Sequence, residues 1–122
     1  VHPQGAFFQR TRIAVSLEVT PPTPPDFPRG AQLARQVIAH LLAHTPAAGT
    51  LINVNLPSLE QGPVRGIRVV PHTVRPFVER FDRRVDPRGR VYFWTTPEFS
   101  CPDPHPDSDV SALAERSITV TP

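Results

Sequence analysis

His40 and His44 stand four apart in a stretch of helical spacing, close enough to bring two imidazoles onto one metal ion. Leu41, Leu42 and Ala43 between them supply no carboxylate base, so the pair reads as the polar end of a helix. His105 lies among Asp103, Asp107 and Asp109, whose oxygens are of the kind hard cations prefer. The Pro-interrupted spacing of that group fits no cation-binding loop. Ser16 and Cys101 are the candidate nucleophiles, but Ser16 has no G-x-S-x-G turn around it and Cys101 has no neighbour that would stabilise a thiolate. No Gly-rich phosphate loop is present. The chain is expected to carry no catalytic residue and no metal ligand of its own.

A different chemistry lies in residues 75–90, which hold six of the thirteen Arg and three acids, Glu79, Asp82 and Asp86. Phe77 and Phe81 interleave with these charges, and Tyr92 and Trp94 follow. Such a ribbon could stack bases and hold phosphates. It could equally clasp a second subunit, since Arg and aromatic side chains are enriched at protein interfaces. A plain surface hairpin is the third reading. The protein interface is the strongest of the three because a lone two-stranded ribbon is marginal in water and needs something to pack on.

The elements that would position these groups can be read in chain order. Ile13 to Leu17 is almost wholly apolar, the pattern of a central strand buried on both faces of a parallel sheet. Four prolines between Val19 and Pro25 end it. Asp26 is placed to cap a helix with Pro28 in its first turn, and Leu33, Ala34, Val37, Ile38, Leu41 and Leu42 keep helical spacing until Pro46 and Gly49. Thr50 to Leu56 reads as a second strand, with Asn53 and Asn55 alternating against Val54 and Leu56. Strand, helix and strand in that order form a right-handed βαβ crossover, hence an α/β fold.

Gly66 to Val70 is a third short strand. Beyond it Phe77, Phe81 and Val85 recur at spacing four, while Arg80, Asp82, Arg84 and Asp86 take the other parity, before a strand from Arg90 to Thr95. Asp86-Pro87-Arg88-Gly89 between them has the residue order of a type I turn closed by a left-handed Gly, so the segment is a β-hairpin. After the Pro-rich residues 97–106, Ser108 or Asp107 caps a short helix over 109–115, and Ile118 to Thr121 ends as a strand.

Composition bounds what these elements can be. One hundred and twenty-two residues, 39% of them apolar, make one domain or part of one. All thirteen basic residues are Arg, and eleven acids leave a formal charge of +2, which gives no general affinity for nucleic acid. The single Cys forms no internal disulfide and no apolar run approaches membrane-spanning length, so a reducing cytoplasm is the expected setting and a membrane is not. The opening Val1-His2-Pro3, followed by apolar Gly5-Ala6-Phe7-Phe8, suggests a piece of something longer.

Several ordered blocks resemble the C-terminal half of the SurE family, the stationary-phase survival proteins. These are G-T-L-I-N-V-N-L-P from Gly49 to Pro57, R-V-D-P-R-G-R-V-Y-F-W from Arg84 to Trp94, and S-D-V-S-A-L-A from Ser108 to Ala114 before Thr119-Val120-Thr121-Pro122. Gly5 to Leu17, with G-A-F-F and I-A-V-S-L, resembles the helix end and strand that the family places just after its active-site region.

The resemblance implies the C-terminal part of a Rossmann-like α/β fold, covering residues 1–122. Residues 1–72 would form the sheet and crossover helix, 73–97 an extended hairpin arm, and 98–122 the last loop, helix and strand. The family resembled hydrolyses nucleoside monophosphates with a divalent cation, Mn²⁺ or Mg²⁺, which lowers the pKa of the attacking water. Its cation ligands lie in an Asn-Asp-Asp-Gly motif, a downstream Ser and the Asn of a Ser-Gly-x-Asn loop, none of which this chain contains. By the resemblance no divalent cation is expected on this chain alone, nucleoside monophosphates are substrates only of a complete protein, and the hairpin joins subunits into a dimer or tetramer. Arg83, Arg84, Asp86, Gly89, Tyr92 and Trp94 would build that arm. The alternative is a non-enzymatic module that uses the same Arg and aromatic hairpin to hold a partner.

Overall fold

A computed structural model describes residues 10–44, 46–74, 80–95 and 105–122. Two units are distinct: residues 1–73 with 105–122, and residues 74–104. The first contains β1 (Arg12–Leu17), α1 (Phe27–Ala43), β2 (Leu51–Leu56), β3 (Gly66–Val69), α2 (Asp109–Ala114) and the last strand, Ser117–Thr121. The second contains the two strands of a hairpin.

With the hairpin strands counted as β4 (Phe81–Val85) and β5 (Val91–Thr95), the last strand is β6, and the four-stranded sheet runs β1-β2-β6-β3. β1 and β2 are parallel and joined through α1, as the strand, helix, strand order required. The sheet is nevertheless mixed: β6 enters between β2 and β3, antiparallel to the first and parallel to the second.

Helix α1 begins where its chemistry dictates. The Asp26 carboxylate accepts a hydrogen bond from the Arg29 N–H at 3.0 Å, and Pro28 occupies a first-turn site that needs no N–H. Gly30 lets the helix approach the sheet; a Cβ there would stand 3.2 Å from a Leu17 methyl. Val37 is buried against Ile52, Val54, Leu56, Ile118 and Val120, with Ile13, Leu17, Leu33, Ala34 and Leu41 packed around them. The alternation in β2 is realised, Ile52, Val54 and Leu56 being buried and Leu51, Asn53 and Asn55 only partly covered.

β6 is buried at all five residues, which requires cover on both faces. Ile118 and Val120 face α1. On the other face Thr119 lies opposite Arg68 of β3, and the Arg68 guanidinium reaches Glu115 at 2.9 Å and Asp107 at 3.6 Å, the two ends of α2. These two exposed ion pairs join β3 to the two ends of α2, whose Ala112 is fully buried. The Thr119 and Thr121 hydroxyls beneath it are buried without a hydrogen-bond partner.

Asp109, the first residue of α2, ties this helix to the segment after β3. Its carboxylate accepts the Thr73 N–H at 2.9 Å, the Thr73 hydroxyl and its neighbour Val110 N–H at 2.9 Å, and it meets the His72 imidazole at 3.0 Å. The Asp109 N–H in turn donates to the Pro71 carbonyl at 3.3 Å. At the other end of α2, Arg116 takes a left-handed φ of 66° and its guanidinium donates to the Gly62 and Pro63 carbonyls.

One expectation is corrected. Ile13 to Leu17 does form a strand, but among the described residues it is an edge strand, not a central one buried on both faces. Val15 is 41% exposed, and Ser16 is exposed with its hydroxyl donating to the Asn55 amide oxygen at 2.5 Å. The physical reason is that β2 pairs one side of β1 and no described strand pairs the other. The Gly5 to Phe8 segment lies outside the described residues.

Two measurements check this packing. Leu56 is 1% exposed at the centre of the core; Leu56→Ala should lower unfolding free energy by about 2–5 kcal/mol in urea titrations, whereas Leu42→Ala, at an exposed helix site, should change it little. Burial works against the charged Asp109 carboxyl, yet the Thr73 hydroxyl, the Val110 and Thr73 N–H groups and His72 together hold it below the ordinary value of 3.8. Its stabilisation is therefore complete above that value and lost as pH falls through the lower folded value. Asp109→Asn should flatten the acid limb of stability below about pH 4, and an unchanged limb would contradict the assignment.

Candidate functional site

The hairpin is built from its turn outward. Asp86 holds the chain reversal with every acceptor it has: Oδ1 accepts the Arg88 and Arg90 N–H groups at 2.9 Å each, Oδ2 accepts the Arg90 Nε at 2.8 Å, and its carbonyl accepts the Gly89 N–H at 2.9 Å. The Arg90 backbone bond is the largest of the influences holding the Asp86 carboxyl below its usual range. Pro87 presets the first turn residue, and Gly89 has φ +80°, where a side chain is strained. The expected type I turn with a left-handed Gly is formed.

The register sorts the side chains into two faces. Phe81, Arg83 and Val85 oppose Thr95, Phe93 and Val91, giving one largely apolar face. Asp82 and Arg84 oppose Trp94 and Tyr92 on the other face, where the Arg84 guanidinium lies 5.7 Å from the Trp94 ring and 3.5 Å from the Asp82 carboxylate. The six arm residues are thereby divided: Asp86 and Gly89 make the turn, Arg84, Tyr92 and Trp94 share the Arg and aromatic face, and Arg83 sits on the apolar one. Neither face covers itself. Phe93 is 65% exposed, Phe81 57% and Trp94 56%, too much apolar surface for two strands to hold by themselves.

The groups considered for acid, base or metal chemistry do not converge. The His40 and His44 ring centroids lie 4.2 Å apart with their planes tilted by 43°, and His44 Nδ1 lies 2.8 Å from the His40 carbonyl, so that nitrogen is engaged by the helix itself. His105 Nδ1 accepts the Asp107 N–H at 3.2 Å. Asp107 turns to Arg68, and Asp109 to Thr73 and His72. Asp103 and Cys101 lie outside the described residues. Among the described residues no three His, Cys, Asp or Glu side chains are grouped to hold a metal ion. The donor set of the described residues therefore does not fit a divalent cation.

A small carboxylate cluster escaped the sequence reading. Where β1 and β2 end side by side, the Glu18 carboxylate accepts the Ser58 N–H at 3.1 Å and the Ser58 hydroxyl donates to Glu60. That bond is the main reason the Glu60 carboxyl lies below its usual range. The carboxyl ends of parallel strands are where open α/β sheets bind ligands, but Glu18 and Glu60 supply only two carboxylates, and Ser58 is 1% exposed. The only signal in the sequence was their position just after two strands.

A family model described as survival protein SurE matches residues 3–79. The 5′-nucleotidase SurE of Rhodopirellula baltica is 36% identical over 121 residues, covering 98% of this chain and 46% of the relative. That of Moorella thermoacetica is 33% identical over 119 residues, covering 98% and 45%. Among solved structures, the SurE protein from Aquifex aeolicus superposes with a TM-score of 0.75 at 24% identity, over 98% of this chain and 48% of that one. The chain thus spans just under half the length of the curated relatives it matches. With the shared fold, the matched blocks and the extent of the family match, this chain belongs to the SurE family.

Proposed function

We propose that the chain is the C-terminal portion of a cytoplasmic, metal-dependent nucleotidase that hydrolyses nucleoside monophosphates. The observation that carries the reading is the match to proteins named 5′-nucleotidase SurE, over almost all of this chain and under half of theirs. In this reading the chain supplies the β1-β2-β6-β3 sheet and the hairpin arm, and the other portion of the fold supplies the Mn²⁺ or Mg²⁺ ligands. Hydrolysis needs anionic oxygens clustered on a dication to polarise the phosphoryl group and acidify water. The purified chain alone is then inactive.

The arm joins subunits. Its exposed Phe81, Val85, Val91 and Phe93 make an apolar face whose burial against a partner is worth on the order of 25 cal/mol for each Å² removed from water. Arg84, Tyr92 and Trp94 on the opposite face are types that anchor interfaces. The exposure of both faces also favours a second reading, a non-enzymatic module in which the arm holds a partner and no hydrolase forms.

Incubating the purified chain with a nucleoside monophosphate and Mn²⁺ should release no phosphate above a chelator-treated control. Turnover abolished by chelator would overturn the assignment of the cation ligands to the other portion of the fold. For the arm, Gly89→Val places a β-branched residue at φ +80°, a strain on the order of 1–2 kcal/mol. Sedimentation should show the parent as a dimer or tetramer and the variant as a monomer. Equal sedimentation of the two would contradict the role given to the hairpin.

A further inference from the structure

We infer that the apolar face of the arm docks on a second copy of the chain at an apolar surface that carries a carboxylate, Arg83 being the residue that selects it. The same face of the second copy's arm is not that surface. The inference rests on the reading of the arm as the element that joins subunits, and names the chemistry the arm requires of what it meets. Arg83 and Phe93 form the middle one of the five cross-strand pairs of the hairpin. Phe81, Val85, Val91 and Thr95 surround them, so among the described residues this face holds one guanidinium and no acid. Its Phe and Val side chains are between 48% and 65% exposed.

Other arginines of the hairpin are matched within it: Arg84 lies 3.5 Å from Asp82, and Arg90 2.8 Å from Asp86. Asp82 and Asp86 have the other parity along β4 and are directed away from Arg83, which has no acid partner among the described residues. A two-fold packing of identical faces would bring two Arg83 side chains into one apolar interface with no anion between them. Removing a guanidinium from water without a counter-charge is costly, and at the middle of the face it is farthest from the wet rim. A surface that presents a carboxylate lifts that penalty, because the planar guanidinium can meet it with two parallel N–H donors. The same charge then discriminates: it disfavours apolar surfaces without an acid, and the arm's own face is one of these.

The test is sedimentation equilibrium of the full chain and three variants. Phe93→Ser checks the arm itself and should raise the dissociation constant about tenfold or more. Arg83→Gln removes the charge while keeping a polar side chain. It should weaken association on the order of thirtyfold, because the facing carboxylate is left buried without its partner, and Arg83→Glu should abolish association. Each variant should melt within about two degrees of the parent, since both sites are exposed. Tighter association of Arg83→Gln than of the parent would show face-to-face packing of two arms and overturn the inference, as would an unchanged constant. In either case a loss of association in Phe93→Ser leaves the arm reading standing. A parent that is monomeric, or a Phe93→Ser variant that associates as the parent does, would defeat that reading and the inference with it.

Discussion

An open β-sheet leaves two demands on whatever surrounds it: the backbone groups along its edges need hydrogen-bond partners, and the apolar side chains on its faces need cover. One helix of 17 residues cannot meet both for four strands. α1 lies over the middle of the sheet, sealing Ile52, Val54, Leu56, Ile118 and Val120. It leaves Val15 at one flank and Ile67 and Val69 at the other in water, the last two 53% and 72% exposed. The core is well made and too narrow for its sheet. The chain spans just under half the length of the curated relatives it matches.

Within those limits the ordering of the chain is done by carboxylates that satisfy backbone N–H groups. Asp26 starts α1, Asp86 closes the hairpin and Asp109 fastens α2 to the segment following β3, each accepting at least one main-chain donor. The same commitment removes them from chemistry. An aspartate surrounded by N–H donors is stabilised as an anion and has few lone pairs left for a cation, which is the position of Asp109.

Local chemistry was what the sequence made legible. Asp26 before Pro28, the alternation of Asn53, Val54, Asn55 and Leu56, and the Asp-Pro-Arg-Gly order of the turn each identify their element because the cause is contained in a few neighbouring residues. The place of β6 was not legible. Its insertion between β2 and β3 is made by ladders to two strands far back in the chain, which no periodicity announces. β1 was legible as a strand from its apolar run, but not its place at the edge of the described sheet, because order in a sheet is set by long-range pairing. The Glu18, Ser58 and Glu60 cluster was not legible because it is assembled from the ends of two strands forty residues apart.

The most direct test of the unpaired edge is residue-resolved amide hydrogen exchange along β1 in the isolated chain. The N–H groups of Ala14 and Ser16, turned toward β2, should exchange slowly, and those of Ile13, Val15 and Leu17 at rates close to those of an open strand. Equal protection at all of these positions would mean that the chain already pairs both sides of β1, and the account of an incomplete sheet would be wrong.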